Sequence, residues 1–111
     1  MAPRAEPTAV VGWGSLNPLG LDADSTWDAV IAGRSGIQLL EAPWTDDLPV
    51  RLAGCVPSGA LDNLSPLLRR RSDRCAQLAL VAARQAWAMA ASVTTGIDPN
   101  RVAVVVGTGI G

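Results

Sequence analysis

Histidine is absent from this chain of 111 residues. Its absence removes the commonest general base and the commonest metal ligand together. Lysine is absent too, so all nine basic residues are arginine; no structural demand explains that bias, which reads as coding preference in a GC-rich genome. Phenylalanine and tyrosine are missing, and four tryptophans are the only aromatic residues. Cysteine is scarce. Cys55 and Cys75 lack CxxC spacing and build neither a zinc site nor a disulfide framework. They read as free thiols in a reducing compartment. Neither charge sign dominates: the net charge of −1 gives no general pull toward nucleic acid or a membrane. The opening Met-Ala-Pro-Arg-Ala-Glu-Pro has no apolar run of the signal-peptide kind, so a cytoplasmic location is expected.

What is present is apolar and patterned. Nearly half the residues are hydrophobic, which argues for a folded chain. Residues 1–7 carry two prolines and read as a loose tail. Thr8 to Val11 reads as a short strand running into Gly12-Trp13-Gly14, and Ser15 to Gly20 as a loop. A GxG after a strand can cradle a phosphate, but no third glycine opens a helix here, and a tight turn is the plainer reading. The first helix is expected to be capped by Asp24 or Ser25, with Ser25 and Asp28 as a capping box. Trp27, Val30 and Ile31 form its core stripe, and Gly33 stops it. Residues 35–48 read as irregular, and the pair Asp46-Asp47 as solvated charge. A second strand is expected over Val50–Val56, then loop from Pro57 to Pro66 with room for one helical turn over Leu61–Leu64.

The main helix is expected from Ser72 to Ala91. Its polar residues, Asp73, Arg74, Gln77, Arg84 and Gln85, share about a third of the circumference. The rest is apolar, so the helix should be buried on most sides, and Gln77, Arg84 and Gln85 break it well short of a membrane span of ~20 residues. Its alanines, among them Ala82, Ala86 and Ala90, leave room for another backbone to pack close. Val102-Ala103-Val104-Val105-Val106 reads as a strand buried on both faces. It runs into the turn Gly107-Thr108-Gly109-Ile110-Gly111, where a ligand or a second backbone could approach. The order strand, helix, strand, long helix, strand is an α/β pattern.

Read together, these stretches resemble one family. Val10-Val11-Gly12-Trp13-Gly14-Ser15-Leu16-Asn17-Pro18-Leu19-Gly20 is similar to the V-V-T-G-x-G-x-x-x-P-L-G opening of the β-ketoacyl-acyl-carrier-protein synthases. Thr26-Trp27-Asp28 through Ala32-Gly33-Arg34-Ser35-Gly36-Ile37 resembles their T/F-W-x-x-L-x-x-G-x-S-G-I, and Leu48 to Gly54 their L-P-V-R-I-A-G. Arg70-Arg71-Ser72-Asp73-Arg74 with Gln77-Leu78-Ala79 is similar to R-R-M-D-R-x-x-Q-x-A, and Asp98 to Gly111 to D-P-x-R-x…G-T/S-G-I-G. Five blocks in order cover residues 8–111. Val11 replaces the family's usual threonine and Ser72 its methionine, both packing changes.

The resemblance implies the N-terminal portion of a thiolase-like fold of αβαβα layers, with residues 8–111 belonging to a β-ketoacyl synthase N-terminal domain. It implies a homodimer that condenses an enzyme-bound acyl group with malonyl-carrier protein, losing carbon dioxide. No metal or organic cofactor is implied, since substrates ride on the phosphopantetheine of an acyl carrier protein. A thiolate takes the acyl group, while histidines and backbone amides stabilise enolate and oxyanion. The family's nucleophilic cysteine and two histidines lie beyond the Gly107–Gly111 turn, and neither Cys55 nor Cys75 sits in the nucleophile's motif. No catalytic residue is therefore assigned in this chain. Arg70 and Arg71, extended by Arg69 and Arg74, match the carrier-protein docking positions, for which arginine's bidentate fork suits carboxylates; a solvated helix start is the plainer reading. Gly107, Thr108, Gly109 and Ile110 match the loop lining the acyl channel near the dimer interface. Two alternatives stand beside an elongating synthase: an inactive remnant or split subunit that completes another chain, and the start of a dinucleotide-binding domain, whose fingerprint also opens with a strand and a glycine turn.

Overall fold

In a computed structural model the described residues are 6–109. The first helix, α1, is Ala23–Ile31. It begins two or three residues earlier than the sequence reading, because Asp22, not Asp24 or Ser25, is the cap. Its carboxylate accepts from Ser25 N–H at 2.7 Å, while the Ser25 hydroxyl accepts from Asp22 N–H at 3.3 Å. Ser25 is thus the third residue of the capping box, not the cap itself. Gly33 ends α1 as expected. It takes the left-handed conformation (φ +66°), and Arg34 N–H reaches back to the Ala29 carbonyl at 2.9 Å.

Two short strands follow, β1 (Ile37–Leu39) and β2 (Leu52–Gly54). They pair antiparallel, Ile37 opposite Gly54 and Leu39 opposite Leu52. β1 lies where an irregular stretch was expected, and β2 is the centre of the longer strand expected over 50–56. Between them a turn at Pro43–Thr45 is tied by the buried Thr45 hydroxyl, which donates to the Ala42 carbonyl at 2.7 Å. Asp46 is not merely solvated; it pairs with Arg51 at 3.3 Å, although both are largely exposed.

A short helix that the sequence reading did not foresee, α2 (Pro66–Arg71), precedes the long one. The long helix expected over 72–91 is α3 (Arg74–Met89) almost to its bounds, and a single further turn, α4 (Ala91–Thr94), follows it. The break between α2 and α3 is set by Ser72, extended at φ −126° and ψ 149°, and by Asp73, whose carboxylate caps α3 by accepting from Ala76 N–H at 2.7 Å. A hydrogen-bonded turn from Leu61 to Leu64 precedes them. Among the described residues no helix is long and apolar enough to cross a membrane.

Three packing expectations are corrected. Thr8–Val11 and Val102–Val106 form no strand. No backbone hydrogen bond among the described residues involves Ala103 to Val106, and Val105 is 92 % exposed. A strand with an interior composition needs hydrogen-bonding neighbours at its edges, and among the described residues none lies beside this run. Trp27, Val30 and Ile31 of α1 are exposed, not a buried stripe, and only Gln77 and Val81 of α3 are buried. The buried apolar set is small: Ala29, Ala60, Leu64, Val81 and Ala90. What is seen is a mixed helix and strand unit, an incomplete α/β arrangement. Of the tail expected over 1–7, Glu6 and Pro7 are exposed and irregular, and residues 1–5 lie outside the described residues.

The alanine row of α3 is nevertheless used. The extended segment through Gly12 and Gly14 runs against it so closely that a Cβ at Gly12 would overlap the Ala86 carbonyl oxygen, and one at Gly14 the Ala82 carbonyl oxygen. Gln85 buckles the two together. Its Oε1 accepts from Ser15 N–H at 3.0 Å, and its Nε2 donates to the Leu21 carbonyl at 2.6 Å.

Candidate functional site

The arginines of the docking expectation sit on one corner, the junction of α2 and α3. Three of them, Arg69, Arg70 and Arg71, occupy the last turn of α2, where cations meet the negative end of the helix dipole. Arg74 opens α3 just beyond the break. The corner is held from beneath by Gln77, which is buried. Its Nε2 donates to the Arg69 carbonyl at 2.9 Å and the Ser72 carbonyl at 2.7 Å, satisfying acceptors that the end of α2 leaves open.

The four side chains are not equivalent. Arg69 is engaged: its guanidinium donates to the Leu61 carbonyl and pairs with Asp62 at 3.1 Å. Arg70, Arg71 and Arg74 are exposed and form no ion pair with any described residue. The structure therefore divides the cluster into one arginine that fastens α2 to the preceding turn and three that face solvent with their charge unspent.

Thr108 of the glycine turn comes to the same end of α3, its hydroxyl oxygen 3.9 Å from the Cys75 thiol. The sequence did not link these two expectations. Gly107 and Gly109 use neither of the freedoms expected of them: neither has positive φ, and a Cβ on either would meet nothing within 4 Å. Ile110 lies outside the described residues. Cys75 is exposed and Cys55 half-buried, both as free thiols. Cys55 borders a shallow hollow with Pro18, Ser35, Gly36 and Ser58. Among the described residues no cluster of cysteine and carboxylate side chains could hold a metal ion.

Sequence reasoning had placed Gln77 and Gln85 on the polar arc of the helix, but not as the two fasteners. Their signal was visible, since each is an amide in an otherwise apolar run, and such groups need partners when covered. Asn17 is a third. Its Nδ2 donates to the Ser15 and Thr26 hydroxyls at 2.7 and 2.9 Å, and its Oδ1 accepts from Leu19 N–H at 2.8 Å, so one side chain shapes the loop before α1.

The comparison with known families decides what this assembly is part of. Residues 5–111 match the family described as Beta-ketoacyl synthase, N-terminal domain. The chain belongs to that family. Among curated relatives, the 3-oxoacyl-[acyl-carrier-protein] synthase 2 of Staphylococcus aureus (strain N315) is 34% identical over 103 residues, covering 92% of this chain and 25% of the relative. The protein of the same name from Mycobacterium leprae (strain TN) is 32% identical over 111 residues, covering 97% of this chain and 26% of the relative. The chain thus spans about a quarter of the length of the ketoacyl synthases it matches. The match includes the segment through Gly12 and Gly14, the arginine corner and the glycine turn.

Proposed function

We propose that this chain serves a β-ketoacyl-acyl-carrier-protein synthase, contributing the front of a thiolase-like αβαβα domain that works as a homodimer. The observation that carries the reading is the family match over residues 5–111, with relatives named for acyl-carrier-protein-dependent synthesis. The reaction is a decarboxylative condensation. A cysteine thiolate accepts an acyl group from the carrier's phosphopantetheine thioester, malonyl-carrier protein loses carbon dioxide, and the resulting enolate attacks the acyl carbonyl to give a 3-oxoacyl product. This chain has no histidine, and neither of its cysteines lies in a nucleophile motif, so its own contribution is structural and recognitional.

Two surfaces divide that contribution. Arg70, Arg71 and Arg74, exposed at the α2–α3 corner, meet the acidic carrier protein, with Arg69 as a positioning residue that anchors α2. Gly107, Thr108, Gly109 and Ile110 line the acyl channel near the dimer interface. No metal or organic cofactor is needed beyond the carrier's own phosphopantetheine, and the setting is the cytoplasm. The glycine turn falls inside the family match, so it needs no dinucleotide-binding reading.

The test is a titration of an acyl carrier protein into the chain and its Arg70→Glu/Arg71→Glu variant at two salt concentrations. Exposed charges are screened beyond about 10 Å at 0.1 M salt, so the variant's loss of affinity should be largest at low salt. Equal affinity at low salt would reduce the corner to an ordinary charged helix end.

A further inference from the structure

Arg70 and Arg71 stand between two backbone positions that one side chain holds. Gln77, 8 % exposed, donates from Nε2 to the carbonyls of Arg69 and Ser72, the residues immediately before and after the pair. Arg74 lies three residues before Gln77 on α3, one helical turn away. The same amide thus joins all three solvent-facing arginines to one frame.

Other supports of α2 are slight. It is six residues long, and in this chain none of them is buried; isolated helices shorter than about 12–15 residues are marginal in water. Its cap is the Ser65 hydroxyl, which accepts from Leu68 N–H at 3.4 Å, a long bond. The Arg69–Asp62 pair is open to solvent, and ion pairs of that kind contribute little. The Ser72 hydroxyl donates to the Leu68 carbonyl at 2.6 Å, which closes α2 on itself without tying it to α3. Among the described residues, the side-chain hydrogen bonds that run from α3 to the end of α2 are those of Gln77. Without them the two carbonyls turn to water, and the turn that carries Arg70 and Arg71 frays.

We propose that Gln77 is a positioning residue for carrier-protein docking. Its amide orders Arg70, Arg71 and Arg74 in advance as one cationic surface, so that an acidic partner binds without first ordering α2. The proposal rests on the docking role given to those arginines above, and it adds a signature that charge alone does not produce. Loss of an arginine weakens binding most at low salt. Loss of Gln77 leaves every charge in place and adds an ordering cost that salt does not screen.

The experiment titrates an acyl carrier protein, at two salt concentrations, into the wild-type chain, Gln77→Met and Gly14→Ala. Methionine keeps the unbranched length and the helix propensity of glutamine but donates no hydrogen bond. Gly14→Ala disturbs the contact of the front segment with Ala82 and Gln85, away from the corner, and so controls for lost stability. Affinities are corrected for the folded fraction read by circular dichroism. Gln77→Met should bind about tenfold more weakly at both salt concentrations, the effect of ordering about one residue's backbone on binding. Gly14→Ala should bind as the wild type does. Gln77→Asn, whose amide stops one methylene short of the two carbonyls, should repeat the loss and serves in place of Gln77→Met where that variant does not fold. Wild-type affinity in a folded Gln77 variant overturns the inference and leaves the docking reading standing. A loss that Gly14→Ala shares also overturns it, by making the role structural, as does a loss that disappears at high salt, by making it electrostatic. A wild-type chain that shows no salt-dependent binding refutes the docking reading, and this inference with it.

Discussion

Replacing Gly14 by alanine tests how the front of the chain is held to α3. The added Cβ would overlap the Ala82 carbonyl oxygen and stand 2.8 Å from the Gln85 Cβ. Neither neighbour can yield: one is helix backbone, the other the root of the side chain that buckles segment and helix together. The segment must therefore move outward, which strains the 3.0 Å bond from Ser15 N–H to Gln85. Overpacking of this kind costs about 1–3 kcal/mol, and the weakened hydrogen bond about 1 kcal/mol more. Alanine's restriction of the unfolded chain returns about 0.4–1 kcal/mol. A net loss of about 2 kcal/mol is expected. With a urea slope of about 1–3 kcal/mol per M, the midpoint of a melt followed by helical circular dichroism should fall by roughly 1 M. Gly33→Ala is the contrast. Nothing lies within 4 Å of its new Cβ, and only the positive φ opposes it, so it should cost about 1–2 kcal/mol without coupling to Gln85. Gly14→Ala and Gln85→Ala should be non-additive, because they act on one contact. An unchanged or raised midpoint for Gly14→Ala would refute the close approach.

Three further outcomes are expected. The purified chain alone should show no malonyl-dependent condensation, having no histidine; clear turnover would overturn the division of labour proposed above. Gln77→Leu should lower stability by about 1–2 kcal/mol in the same melt, because the Arg69 and Ser72 carbonyls lose their donor. Hydrogen bonds from the Ser25 hydroxyl and then the Ser25 amide hold the Asp22 carboxyl below its ordinary value of 3.8. Its cap is therefore fully present above that value and is lost as pH falls through the lower folded value. An NMR titration of the Ser25 amide should report a midpoint under 3.8, and Asp22→Asn should abolish that step; a midpoint at or above 3.8 would contradict the capping geometry.

The sequence by itself determined the local features and the lineage. Gly33 as the stop of α1 was legible because a left-handed position favours one residue type. The alanine row of α3 was legible as a place for close backbone approach, since small side chains act the same way in any context. The five motif blocks led to the family that the comparison then found. The arginines were legible as a cluster, but not their unequal states, because only the fold brings Asp62 and the Leu61 carbonyl to Arg69. Only the tertiary structure added α2 ahead of the expected helix, set off from α3 at Ser72-Asp73 by a capping carboxylate and a buried glutamine. It also decided that Val102–Val106 stands unpaired. Composition states what a segment can bury, but burial and strand pairing require a partner surface, and none lies beside that run among the described residues.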